Sequence, residues 1–382
     1  WEKSTTYDVG LDLDFFNNRL SVSGDYYRRY TTDMYTASVA LPAVYGTGSP
    51  KGNNAEMKTD GWELSLSWRD SFKLGGKPFD YSIKAMVWDS KSVITKYVND
   101  TGSLGTVKGF IENGGSPSSY YVGMTVGEIW GYTVAGLFRD QADIDSSAIH
   151  DFVQASDKVT RPGQVKIADL DGNGFIDPGN FAVDDHGDLR IIGNQSPRYR
   201  YGVNLSARWN GIGLSVFLQG VGARDWYPGS DAGMFWGKYG RPFFALIPSI
   251  HNYTDDMYSA ERNNWDTAYW PRMTTYQSNG TKNWTRLLEI PNTRYIQSAA
   301  YLRVKNIQLD YSFPKHICSA IRLQGLKIYV NAENLFTFTP LHKYAPNFDP
   351  EGLSYDSDFA SAADGYTYPI LKSVTVGVNI TF

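Results

Sequence analysis

Residues 199–209 read Tyr199-Arg200-Tyr201-Gly202-Val203-Asn204-Leu205-Ser206-Ala207-Arg208-Trp209. Every odd position is apolar or aromatic, and every even one is charged, small or polar. A period of two places alternate side chains on opposite faces of an extended chain, so this stretch is a strand with one apolar and one polar face. Working outward, Trp62, Leu64, Leu66 and Trp68 alternate with Glu63, Ser65, Ser67 and Arg69. At the far end Val374, Val376, Val378, Ile380 and Phe382 alternate with Thr375, Gly377, Asn379 and Thr381. The fold class is all-β. The pattern predicts strands over 5–15, 19–31, 60–70, 78–92, 198–209, 212–222, 300–313, 325–337 and 370–382, with a further uncertain segment near 120–138. Helical periodicity is scarce, with short helices expected over 141–156 and 255–263.

The connections alternate in length. Short turns are expected at Phe16-Asn17-Asn18, at 71–77, at Asn210-Gly211 and over 314–324, with Asn-Gly a hairpin signal. Long connections fall at 32–59, 93–197, 223–299 and 338–369. Short turns at one end and long loops at the other are the habit of an outer-membrane β-barrel, whose strands need about 9–11 residues to cross. A soluble β-domain with unusual insertions is the competing all-β reading. On the barrel reading, the long loops lie outside the cell and the short turns in the periplasm.

Composition narrows the function classes. The 382 residues include Trp 11, Tyr 27 and Phe 19, too aromatic for a disordered chain. A net charge of −4 with no basic face gives no reason to expect nucleic acid. The lone Cys318 excludes an intramolecular disulfide or a thiolate zinc site; it falls in a predicted periplasmic turn, where inert packing is expected. No run of about 18 apolar residues marks a membrane helix. The chain opens at Trp1 without a signal-peptide pattern, so a portion of a longer polypeptide is expected.

Further residues carry a family resemblance. They are Trp1-Glu2-Lys3-Ser4, Gly10-Leu11-Asp12, the run Asn18 to Tyr27, and Gly61-Trp62-Glu63-Leu64-Ser65-Leu66. Next come Gly131-Tyr132, Gly136-Leu137-Phe138, Pro162-Gly163, the run Asp169 to Asp177, and Ile192-Gly193 with Pro197. The last are Tyr301-Leu302-Arg303-Val304-Lys305-Asn306, Glu333-Asn334-Leu335-Phe336-Thr337, Asp349-Pro350-Glu351 and the terminal strand Val376 to Phe382. In this order, and over nearly the whole chain, they resemble the SusC/RagA family of TonB-dependent outer-membrane transporters. The resemblance implies a transmembrane antiparallel β-barrel of roughly 22 strands with a plugged lumen, of which this chain would be the C-terminal part. It implies residence in the outer membrane of a Gram-negative bacterium, among membrane lipid. It implies a SusD-like surface lipoprotein as lid, and a TonB complex engaged through a segment outside residues 1–382, as is the plug. The implied cargo is an oligosaccharide or a peptide, and a dimer of transporter–lipoprotein pairs is a further expectation. A passive porin or adhesin barrel, and a secreted glycan-binding β-domain, are the alternatives.

Three local features are site candidates. Asp169-x-Asp171-x-Asn173-Gly174-Phe175-Ile176-Asp177 has alternate oxygen side chains around a glycine turn. Ca²⁺ wants 6–8 oxygens, so Asp169, Asp171 and Asn173 would give side-chain oxygens, Phe175 a carbonyl, and Asp177 a direct or water-mediated ligand. The usual twelfth-position Glu is replaced by Asn180, which points to a weak structural site of about 10⁻⁴–10⁻³ M; an Asx-rich turn without metal is the alternative. Trp226, Trp236, Trp265, Trp270 and Trp284 crowd the 223–299 loop, where flat rings either stack on sugars or pack the loop itself. Phe382 closes the last strand and resembles the barrel-assembly signal. No catalytic residues are expected: the five histidines are scattered, and no HExxH, GxSxG or P-loop occurs.

Overall fold

The structure, a computed structural model, describes residues 1–37, 46, 50–106, 115–150, 160–228, 235, 256–272, 291–353 and 370–382. Fifteen strands are described: β1 (Lys3–Phe15), β2 (Leu20–Ala37), β3 (Lys51–Leu74), β4 (Lys77–Lys96), β5 (Glu128–Tyr132), β6 (Val134–Leu137), β7 (Val165–Ile167), β8 (Leu189–Asn194), β9 (Arg198–Trp209), β10 (Ile212–Ala223), β11 (Asp225–Trp226), β12 (Gln297–Ser298), β13 (Tyr301–Ser312), β14 (Gly325–Phe338) and β15 (Ser373–Thr381). Among the described residues the helical segments given by their bounds are α1 (Gln141–Asp145), α2 (Lys315–Ala320) and a 3-10 turn at Pro340–Lys343.

Nine strands form one sheet in the order β1-β2-β3-β4-β9-β10-β13-β14-β15, every pair antiparallel. The hairpins close as their turn chemistry requires. Asn210 and Gly211 take φ of +49° and +87°, and Gly75 and Gly76 take +60° and +77°. Two consecutive positive φ angles match the right-handed strand twist. The short turn after β13 carries α2, where buried Cys318 contacts the Phe313 carbonyl.

The nine predicted strands are the nine of the sheet, but three run further. β2, β3 and β4 have 18, 24 and 20 residues, so the connection expected at 32–59 shrinks to 38–50. The uncertain 120–138 segment holds β5 and β6, which pair with β8 and β7 away from the large sheet. The helix expected over 141–156 is α1 alone among the described residues, capped where the Asp140 side chain accepts the Asp143 N–H. The helix expected over 255–263 is replaced by turns among the described residues. There the Asn264 side chain bonds Ser259 and Met257, and Asn263 sits at φ +46°. These local side-chain bonds compete with a helical ladder.

Among the described residues the hydrophobic core lies mainly in the long connections, with only a few members such as Ile94 on the large sheet. Leu104, Ile129, Tyr132, Leu189, Trp226, Tyr227, Trp270, Tyr295, Leu341 and Phe348 belong to one buried cluster. The sheet's apolar face is bare by contrast: Val376 is 73% exposed, and Leu309, Val330 and Phe336 are exposed with it. Cross-strand register puts these residues side by side, as in Leu214↔Leu309↔Val330↔Val376. The opposite face aligns Ser215, Gln308, Asn331 and Thr375.

Glycines let aromatic rings lie flat across the ladder. Gly377 pairs with Tyr329, and a Cβ on Gly377 would stand 2.2 Å from the Tyr329 ring carbon Cζ. Gly61 under Tyr27 repeats the arrangement at 2.3 Å. Gly377→Ala should therefore displace the far end of the Tyr329 ring and cost about 0.5–1.5 kcal/mol. Thermal unfolding of the purified protein should show the loss, and Gly377→Ala with Tyr329→Ala should recover part of it.

Candidate functional site

The acidic loop forms where β7 ends and the chain turns back toward β8. Residues 148–150 pin its base. Ile149 N–H donates to the Gly174 carbonyl, and Ile176 N–H donates to the Ile149 carbonyl. His150 braces the other side. Its Nε2 accepts the Ile167 N–H at 2.9 Å, which leaves Nδ1–H to donate to the Ala148 carbonyl at 2.7 Å. Burial holds this imidazole below its usual pKa, and the Lys166 charge pushes the same way.

Within the loop, Asx-type bonds curl the chain. Asp169 Oδ1 accepts the Gly172 N–H at 2.6 Å, and Oδ2 accepts the Gly174 N–H at 2.9 Å. These bonds, that of Gly174 foremost, hold the Asp169 carboxyl below the usual carboxylate range. Gly172 and Gly174 take φ of +77° and +84°, which the tight curl requires. Asp171 Oδ1 accepts the Asn173 N–H at 3.0 Å.

The predicted donors separate into two groups. Carboxylate oxygens of Asp169, Asp171 and Asp188 lie within 4.8 Å of one another. Asn173 turns its Oδ1 to the Phe175 N–H at 2.7 Å and its amide nitrogen toward Asp171 and Asp177. Asp177 Oδ1 is occupied by the Gly179 N–H at 2.7 Å. Phe175 sits beside Ile149 in a parallel bridge, its ring half exposed. Asn180, at the twelfth position, donates to Asp185.

Asp188 is the residue that sequence reasoning missed. It is fully buried and lies beyond the motif, immediately before β8. It accepts the Leu170 N–H at 2.6 Å and the Asp177 N–H at 3.1 Å, tying both ends of the loop. Burial raises its pKa, and the Asp171 and Asp169 charges add to the rise. Its spacing matches no short motif; only the fold carries it to Asp169 and Asp171. The donor set is all oxygen and anionic, which fits a hard cation and no soft one.

The tryptophan candidates divide as well. Trp226 and Trp270 are 1% and 0% exposed, so they pack the loop core rather than offer stacking faces. Phe235 and Phe348 meet the Trp226 ring, at 6.0 and 4.8 Å between centroids. Trp265 is half-buried against the same core. Trp236 and Trp284 lie outside the described residues. Phe382 stands exposed just after β15.

With this geometry in view, comparison with known proteins gives a single direction. The family model "TonB dependent receptor-like, beta-barrel" matches residues 1–148. TonB-dependent receptor P3 of Formosa agariphila is 26% identical over 390 residues, covering 100% of this chain and 34% of the relative. Residues 1–148 thus match that barrel family, and the whole chain is similar to a barrel portion of SusC/RagA-like TonB-dependent receptors. This family consists of receptors and transporters, not enzymes. TonB-dependent receptor SusC of Bacteroides thetaiotaomicron is 24% identical, with 100% of this chain and 32% of that protein covered. The RagAB peptide importer in its open-open state superposes with a TM-score of 0.66 at 19% identity, over 100% of this chain and 35% of that one. The chain thus spans about a third of the length of the relatives it matches.

The His150 brace should make the loop pH-sensitive. A base whose folded pKa lies below its ordinary 6.5 gives full stability above that value and loses it as pH falls through and below it. Limited proteolysis of the 134–176 region should therefore accelerate as pH drops below about 6.5. His150→Gln, which stays neutral, should flatten that dependence.

Proposed function

We propose that this chain is the C-terminal barrel wall of an outer-membrane importer driven through TonB. One observation carries the reading: a nine-stranded antiparallel meander bares a continuous apolar face while the described residues of its three longest connections share a core of their own. An exposed apolar band on an antiparallel sheet, with short turns at the opposite end, suits lipid rather than water. β1 and β15 are the two edges of the sheet. Unpaired edges are not tolerated in lipid, so further strands of the same polypeptide would close the barrel, to roughly 22 in all. The plug and the TonB-contacting segment would belong to the rest of the protein. The connections 93–197 and 223–299 would face outward, and Phe382 would serve as the assembly signal.

Cargo would enter from outside under a SusD-like lipoprotein lid and pass once TonB displaces the plug. Both an oligosaccharide and a peptide suit the polar inner face; the importer named RagAB carries peptide. Two such transporter–lipoprotein pairs would form the dimer. Purification of the full-length receptor from detergent-solubilised membranes, with mass spectrometry of co-eluting species, tests the reading. A co-purifying lipoprotein with bound oligosaccharide or peptide is the expected result. A barrel that elutes alone favours a passive channel, and a detergent-independent protein refutes the membrane assignment.

The acidic loop is read as a structural Ca²⁺ staple. Asp169, Asp171 and Asp188 would supply carboxylate oxygens, joined by Asn173 if its amide turns, with Asp177 through water and the Phe175 carbonyl completing the shell. The ion would neutralise three clustered carboxylates and stiffen the 93–197 connection. Asp188→Asn and Asp169→Ala should each abolish Ca²⁺-dependent protease resistance of this loop. Unchanged protection, with and without chelator, would leave a metal-free Asx turn.

A further inference from the structure

Three stretches far apart in sequence meet at the long-loop end of the sheet's polar face. The first is a β-bulge. On β13, Val304 pairs with Leu218 and Phe336, while Asn306 pairs with Phe217 and Glu333. Lys305 is left without a ladder partner on either side. The second stretch is on the neighbouring strand β14, where Asn334 and Leu335 stand opposite Lys305, with Asn334 at φ +53°. An inserted residue of this kind re-aims the side chains around it. Arg303, Lys305 and Asn306 all reach the polar side as a result, where Asn306 Nδ2 donates to Asn331 Oδ1 at 2.7 Å.

The third stretch is Asp349-Pro350-Glu351, in the connection between β14 and β15. Arg303 is 2% exposed, and its Nη2 donates to Asp349 Oδ1 at 2.7 Å. Its Nη1 stands 3.2 Å from Glu351 Oε1, while its Nε donates to Thr337 Oγ1 at 2.9 Å. Lys305 Nζ donates to the other Glu351 oxygen at 2.8 Å. Arg224, just past β10, holds the backbone of the same segment through the carbonyls of Pro350 and Leu353. Asp349 Oδ1 also accepts the Glu351 N–H at 2.9 Å, which folds the segment tightly over the cations.

The held segment carries part of the loop core. Phe348 packs on Trp226, and Tyr344 stacks on Tyr269 with centroids 3.6 Å apart and planes within 4°. Leu341, Ala345 and Leu353 are buried in the same cluster. The strap therefore joins the 338–369 connection to the 223–299 connection and ties both to the wall.

We propose that Arg303 and Lys305, presented together by the bulge, form a two-cation latch that straps residues 340–353 across the polar face at the mouth of the wall. The latch is ionic, so it can open without unfolding the sheet beneath it. Its release frees the strap and loosens the aromatic core it carries. A buried ion pair that loses one member leaves the other charge uncompensated, so removal of a partner is felt far more than its mere presence.

Hydrogen–deuterium exchange on the full-length receptor in detergent tests the latch. Glu351→Lys places a cation against Arg303 and Lys305. It should speed exchange at the Tyr344, Ala345, Phe348 and Gly352 amides by about tenfold or more, leaving the β9 and β10 amides unchanged. The milder Glu351→Gln should give a smaller change in the same amides, and it serves if the first variant does not assemble. Lys305→Glu combined with Glu351→Lys should restore most of the protection. Unchanged exchange in the single variants would overturn the proposal. So would a double variant no better protected than either single one, because packing alone would then hold the strap.

Discussion

Nine antiparallel strands share one ladder, and their apolar side chains face away from the rest of the protein. Everything else is arranged around that constraint. Water penalises such a face, and a helical or loop cover is not supplied to it by the described residues. The core that gives an ordinary soluble domain its stability has moved off the sheet into the connections. Trp226, Trp270, Tyr295 and Phe348 pack there, and β5, β8, β11 and β12 supply the local frame. The described residues therefore form two separate apolar systems: a packed interior of loops, and a bare outer face of the sheet.

Long connections that carry their own core still have to be oriented on the wall. Backbone hydrogen bonds do some of this, as where Tyr132 and Thr293 exchange bonds with their neighbours across two connections. Charges do the rest. The Asp89–Arg198 pair, bidentate at 2.6 and 2.5 Å, ties the second half of β4 to the start of β9. Arg303 and Lys305 play the corresponding part for the last connection. In each case a cation on one strand is matched by an acid distant in sequence. Lost side-chain freedom is repaid only because the partners are held by structure on both sides.

The acidic loop shows the same division of labour at smaller scale. Its curl is local, written by Asp169, Asp171 and the two glycines through Asx bonds. Its charge cluster is not local. Asp188 reaches it only because β5 holds β8, and because the backbone N–H groups of Leu170 and Asp177 donate to its carboxylate. A buried acid that accepts two backbone hydrogen bonds, beside the half-buried Asp169 and the exposed Asp171, gives the loop an anionic focus that its own motif lacked at Asn180.

Period-two alternation was enough to specify nine strands and, away from the bulges, the face that each side chain takes. Both faces and short hairpins are local properties, and Asn210-Gly211 and Gly75-Gly76 state their turns outright. The acidic motif was legible for the same reason, since its bonds span few residues. Strand ends were not legible. β2 and β3 continue past Thr31 and before Asp60 through polar residues whose pairing depends on the neighbouring strand, with a register shift after Thr31. The helix expected over 255–263 failed because Asn264 bonds backward within a turn held by the loop core. The fate of Trp226 and Trp270, the recruitment of Asp188 and the meeting of Arg303 with Asp349 were likewise beyond the sequence. Each depends on connections that fold over one another. Long-range closure is a property of the packed whole, and no periodicity within a single segment encodes it.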